Sequence, residues 1–170
     1  MRINRIKDND IANGFGITMS LWTQGCPHHC KGCFNKETWN FTDGEEFTEE
    51  NLNYIIDNID KHNVKRDLSI LGGEPLVNYN IDAVIDICKN IKKIFPNVQI
   101  WIWSGFLFET LIKLEKFQEL VNYFDVLVDG KFEIDKKDLT LMYRGSSNQR
   151  VIDIKETLQN NNQIKFLDIK

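Results

Sequence analysis

Short apolar runs and helix-periodic stretches alternate along this chain, and that alternation restricts its fold more than any other feature. Ile17 to Thr23 reads as a strand, and so do Leu68 to Leu71, Val98 to Trp103 and Val126 to Val128. Between the first two, Leu52, Ile55, Ile56 and Ile59 recur at the i, i+3, i+4, i+7 spacing of one helix face. Thr48 is the expected N-cap there, with Glu49 and Glu50 complementing the dipole in the first turn. Ile81, Val84, Ile85 and Cys88 form a second apolar face, closed by Pro96. Phe108, Leu111, Ile112, Phe117, Leu120, Val121 and Phe124 supply a third, long helical stripe. Strands alternating with helices in this way imply βαβ units and a mostly parallel sheet, an α/β fold. At 170 residues with no internal repeat or linker, one domain spanning residues 1–170 is expected. A complete eightfold β/α barrel takes about 250 residues and does not fit.

In parallel sheets ligands collect at the carboxyl ends of the strands. Each unusual polar segment falls at such an end: the loop holding Cys26, Cys30 and Cys33, the turn Gly72-Gly73-Glu74-Pro75, Ser104-Gly105 and Asp129-Gly130. Composition narrows the chemistry. Twenty-one basic against twenty-five acidic residues leave a net charge of −4, which argues against nucleic-acid backbone binding as the main activity. No apolar run reaches the roughly 18 residues of a membrane span, and Met1-Arg2-Ile3-Asn4-Arg5 lacks the apolar stretch of a signal peptide, so a cytoplasmic protein without a membrane partner is expected. Disulfides are rare in that compartment, where crowded thiols more often bind metal or do redox work.

The spacing Cys26-x3-Cys30-x2-Cys33 puts three soft thiolates on one short loop, a ligand set for an iron–sulfur cluster or for zinc. Pro27 stiffens its start and Gly32 lets the backbone turn close to a bound group. Three ligands on a four-iron cluster leave one iron open to a small molecule. A structural zinc site would need a fourth ligand from His28, His29, His62 or Cys88. Cys88 lies in the apolar stripe of the second helix, where cysteine behaves as a small hydrophobe. The two loop histidines read as solvent-facing.

A CxxxCxxC loop directly after a first strand and a GGEP turn after the second resemble the radical S-adenosylmethionine (SAM) superfamily. Within it, Cys26-Pro-His-His-Cys30-Lys-Gly-Cys33-Phe34-Asn35, Trp101-Ile-Trp103-Ser104-Gly105-Phe106, Leu127-Val-Asp129-Gly130-Lys131-Phe132 and Arg144-Gly-Ser-Ser-Asn-Gln149 are similar to the family of anaerobic ribonucleoside-triphosphate reductase activases. The likeness runs in order from about Asp10 to Asp153. It implies a partial, open β/α barrel carrying a [4Fe-4S] cluster on Cys26, Cys30 and Cys33, with SAM chelated at the open iron. It further implies reductive cleavage of SAM and formation of a glycyl radical on the large subunit of the reductase, with electrons from an external donor such as a reduced flavodoxin-type protein. Gly72, Gly73 and Glu74 are the expected SAM-binding turn, Glu74 accepting from the ligand ammonium. Ser104 and Asp129 are expected to hold its carboxylate or ribose hydroxyls, Asp129 through a cation or directly.

Two alternatives stay open on the sequence. An activase of another glycyl radical enzyme, of the formate-lyase type, would carry the same cysteine and GGEP motifs. A non-catalytic zinc or iron–sulfur module would need only the cysteines. Many superfamily members have an aromatic residue before the third cysteine; here Gly32 stands there and Phe34 follows, so the adenine contact has no assigned residue. Trp101 and Trp103 read as core residues of a strand buried on both faces. The segment from Arg144 to Arg150 reads equally as a site-ordering or partner-facing element and as a self-stabilised loop. In the tail from Lys155 to Lys170, Ile164, Phe166, Leu167 and Ile169 imply packing.

Overall fold

The computed structural model describes residues 1–169. Its seven strands form one sheet in the order β3-β1-β2-β4-β5-β6-β7. The inner strands β2 (Thr18–Thr23), β4 (Asp67–Gly72), β5 (Ile100–Ser104) and β6 (Val126–Asp129) run parallel and follow one another in chain order. Helices α1 (Glu49–Ile59), α2 (Ile81–Ile94), and α3 (Phe108–Leu111) with α4 (Glu115–Leu120) make the three crossovers. Asn51 Oδ1 accepts from Thr48 N at 2.8 Å, which fixes the start of α1 where the N-cap was expected.

Three elements go beyond the alternation. β1 (Arg2–Asp10) pairs antiparallel with β2, and the two-residue β3 (Glu45–Glu46) pairs with β1. β7 (Arg150–Asp153) closes the other side antiparallel to β6 and leads into α5 (Ile154–Gln159). The long stripe from Phe108 to Phe124 is two short helices. Its apolar positions skip from Ile112 to Phe117, placing Glu115 and Lys116 where a continuous helix would need core residues. Leu114 there is extended, at φ −93° and ψ 128°.

The two faces of the sheet do different work, set by the period-two alternation of strand side chains. Met19, Leu21, Leu68, Ile70, Ile100, Ile102, Leu127 and Ile152 point to the helices and build the main core with Ile55, Val84, Cys88, Phe117 and Leu120. On the opposite face Trp101, Val126, Val128 and Val151 form a smaller cluster, covered by Phe15, Tyr143, Leu167 and Ile169. The tail therefore packs, as its apolar residues imply, although Phe166 itself is exposed. No helix among the described residues is long and apolar enough to cross a membrane.

A charged latch joins the last two strands. Arg150 on β7 donates through Nε to Asp129 Oδ1 at 2.8 Å and through both terminal nitrogens to Glu109 at 2.9 and 2.8 Å. Asp129 has no exposure to water, and its Oδ2 also accepts from Phe108 N at 2.8 Å. Removing Arg150 would leave a buried, half-satisfied carboxylate, so Arg150→Met is expected to lower urea stability by about 3 kcal/mol. The hydrogen bonds from Arg150 hold Glu109 at about 2, below its ordinary 4.5. Because the folded value is the lower one, this contribution is complete above about pH 4.5 and is lost as pH falls toward 2. Glu109 is half exposed and screened by water, so Glu109→Gln is expected to flatten the loss of stability in that window only modestly, as read from urea titrations at several pH values.

Candidate functional site

All four polar segments singled out in the sequence lie at the carboxyl ends of β2, β4, β5 and β6, and they surround one open cleft of ≈ 410 Å³. Cys26, Cys30 and Cys33 line it together with Gly72, Gly73, Glu74 and Ser104. All three cysteines are free thiols; Cys26 is buried, and the other two are partly exposed. Asp129 is not brought to the cleft wall: its carboxylate faces Arg150 and the Phe108 amide, and the neighbouring Gly130 and Lys131 line the cleft instead.

The cysteine loop is docked onto the GGEP turn by backbone contacts that exclude side chains. Glu74 N donates to Gly25 O at 2.8 Å and Gly73 N to Thr23 O at 2.9 Å. A Cβ on Gly73 would stand 2.6 Å from Gly25 O, so a larger residue would push the two segments apart. Gly72, at φ +101°, has the Thr23 backbone within 3.0 Å of where its Cβ would be. The glycines thus let one loop approach another. On the outer side, Cys26 N donates to Trp39 O at 3.0 Å, and Ile134 packs against Gly32.

Glu74 is the polar centre of the arrangement. Fully buried, it accepts at Oε1 from Ser104 Oγ at 2.9 Å and Leu76 N at 3.0 Å. Its Oε2 takes Gly105 N at 2.8 Å and lies 2.7 Å from His28 Nε2. A carboxylate offers about four acceptor directions, and all four are met from within the chain. His28 is therefore not the solvent-facing residue that the sequence implied: it is turned inward, with its ring edge-on to Phe106 at 4.5 Å. His29 does face outward, stacked on Trp39 at 4.8 Å. The pattern that could have signalled the difference is Gly105, whose missing Cβ makes room for the His28 ring.

Burial pushes the Cys26 thiol up to about 11, partly offset by the amides of His28 and His29 directed at it, and raises Cys30, with Cys33 adding to the effect. Thiols in this condition become thiolates on binding a metal, whose charge replaces the lost water. Three further groups fit an acceptor-rich occupant: Trp22 Nε1, Trp39 Nε1 and Arg144 Nε are buried donors without a partner, on residues that line the cleft. Among the described residues no three His, Cys, Asp or Glu side chains converge as a single-ion site. Of the fourth ligands that zinc would need, His28 is engaged on Glu74, His29 is stacked outward on Trp39, Cys88 lies in the helix core, and His62 stands exposed in the turn after α1, outside the cleft lining. In an iron–sulfur cluster each cysteine takes its own iron, so the same loop suits that group.

The remaining motif residues divide between core and cleft. Trp101 is fully buried, whereas Trp103, on the same face of β5, lines the cleft and donates from Nε1 to Tyr143 O at 2.8 Å. Arg144 to Gln149 is a self-bonded loop: Gln149 Oε1 accepts from Gly145 N and its Nε2 donates to Gly130 O, each at 2.9 Å. Both Arg144 and Gln149 also line the cleft.

Residues 12–152 match the family model described as a 4Fe-4S single cluster domain. An anaerobic ribonucleoside-triphosphate reductase-activating protein of Vibrio cholerae is 40% identical over 142 residues, covering 82% of this chain and 90% of that protein. Proteins of the same name from Escherichia coli strain K12 and Enterobacteria phage T4 are 38% and 35% identical, over 84% and 89% of this chain and 92% and 93% of theirs. The chain belongs to this family of reductase-activating proteins. In this activating-protein family member, the 4Fe-4S domain match supports an iron–sulfur cluster and spans the cysteine loop, the GGEP turn and the segment from Arg144 to Gln149.

Thiol chemistry tests the geometry without metal. In the metal-free protein at pH 8, iodoacetamide is expected to label Cys30 and Cys33 before the more buried Cys26, and Cys88 only on unfolding, as read by peptide mass spectrometry. Labelling of all four at one rate would contradict this placement.

Proposed function

We propose that this protein is a radical SAM activase that generates the glycyl radical of an anaerobic ribonucleoside-triphosphate reductase. The observation that carries the reading is the assembly of Cys26, Cys30, Cys33 and the GGEP turn on one cleft wall, in a chain of the reductase-activating family. When bound, a [4Fe-4S] cluster on the three cysteines supplies the electron that splits SAM into methionine and a 5′-deoxyadenosyl radical, which takes a hydrogen atom from a backbone glycine of the reductase.

The chain's own part in this reading is to bind and orient. Gly72 and Gly73 bring the strand-end backbone beside the cysteine loop, where it meets the amino-acid end of SAM. The unpartnered Nε1 of Trp22 and Trp39 and Nε of Arg144 offer donors to its carboxylate and ribose oxygens, and the Ser104 hydroxyl, whose proton goes to Glu74, can accept from a ribose hydroxyl. Glu74 can accept the ammonium only by exchanging one of its four present partners, so its first role is to hold the strand ends in place. Asp129 acts at one remove, positioning Gly130 and the start of α3. The sequential order of the four parallel strands, with helices on one face, supports a partial β/α barrel. Its cleft, on the face opposite the main helix core, offers a route for a glycine-bearing loop. A one-electron carrier of the reduced flavodoxin type is the expected donor, in the cytoplasm.

Anaerobically reconstituted and reduced protein is expected to convert SAM to 5′-deoxyadenosine and methionine, and Cys30→Ala to abolish this. With the reductase present, electron paramagnetic resonance is expected to show a glycyl radical, and no such radical with a formate-lyase-type enzyme. Absence of SAM cleavage both with and without reductase would overturn the assignment.

A further inference from the structure

We propose that His28 is a positioning residue that tethers the arc between Cys26 and Cys30 to the carboxylate of Glu74, fixing the cysteine loop at a set height over the strand ends. The proposal deepens the functional reading above and rests on it for its consequence in SAM binding, but the tether itself is a property of the chain alone.

Three observations converge on this side chain. First, His28 Nε2 lies 2.7 Å from Glu74 Oε2, with 6% of the His side chain and 1% of the Glu side chain exposed. A hydrogen bond so shielded from water is stronger than one at a surface, and leaving either partner unmet is correspondingly unfavourable. Second, the pocket around the ring is shaped for it. Gly105 leaves the space that a Cβ would close, at 2.4 Å from the ring, while Gly105 N donates to the same Oε2 and Phe106 meets the ring edge-on. Third, the adjacent histidine does none of this: His29 has φ 47°, faces outward and stacks on Trp39.

The backbone bond from Glu74 N to Gly25 O ties the chain to the turn just before Cys26; among the described residues no backbone hydrogen bond joins the arc from Cys26 to Cys30 to β4 or β5. The loop is anchored at Cys26 N by Trp39 O, and Cys33 N bonds back to Cys30 O within it. Between those points the side chain of His28 supplies the link to β4 and β5. The distance between the thiolates and the GGEP turn is the distance between the two halves of the proposed cofactor site. Loosening the link should therefore weaken SAM binding more than cluster assembly, which needs only the three thiols.

The test compares His28→Gln, which keeps an N–H donor, with His28→Leu, which keeps bulk and loses the donor. In the metal-free protein, hydrogen exchange over residues 26–31 is expected to quicken about tenfold in the Leu variant, the equivalent of one shielded hydrogen bond, and to stay within about threefold of the parent in the Gln variant. After reconstitution, both variants are expected to hold iron and sulfide within about twofold of the parent. The Kd for SAM should rise about tenfold for Leu only. Unchanged exchange in His28→Leu overturns the tether, as does equal disturbance by Gln and Leu, which would mean ring packing alone. Loss of iron in both variants also overturns it, by assigning His28 to the cluster itself. If the parent protein binds no SAM while exchange still separates the two variants, the tether stands and the enzymatic reading falls.

Discussion

A buried carboxylate at the meeting point of three chain segments holds this site together. Glu74 sits at the end of β4, where burial without partners would be strongly unfavourable. It is met by a backbone amide of its own turn, by the hydroxyl of Ser104 and the amide of Gly105 after β5, and by His28 from the cysteine loop. Each partner comes from a segment that must be in its native place, so the carboxylate is satisfied only when loop, turn and strand end have assembled together. The glycines at 72, 73 and 105 serve the same end by removing the side chains that would keep those segments apart.

The sheet explains why the site is where it is. Four parallel strands in chain order deliver four loops to one edge, and the helices that connect them bury the alternate face in the main core. That leaves the other face partly free. Its lower part is closed by Trp101 and the residues packed against it, and its upper part opens as the cleft. The latch from Arg150 to Asp129 and Glu109 binds β7 to this edge and keeps Gly130 beside the cleft.

Much of this was legible in the sequence because it rests on local periodicity. The four parallel strands, the faces of α1 and α2, the N-cap at Thr48 and the burial of Cys88 follow from spacing alone. β1 did not, because a register shift between Ile3 and Arg5 lets Ile3 and Ile6, three residues apart, both face the core, which hides the period of a strand. β7 is only four residues long and takes its identity from pairing with β6. At the site, the cysteines and the GGEP turn were readable as motifs. The direction of His28, and the engagement of Asp129 by Arg150 rather than by the cleft, were not. Both depend on contacts between residues 46 and 21 positions apart, which no local pattern encodes.

On the proposed reading, three thiolates and one strand-end turn make a cluster site with a single iron left open to SAM. Mössbauer spectroscopy of the iron-57-reconstituted protein, recorded with and without SAM, addresses it most directly. The expected result is four irons per chain, one of which changes its signal when SAM is added while the other three do not. Stoichiometric zinc without iron, or four irons that are all indifferent to SAM, would contradict it.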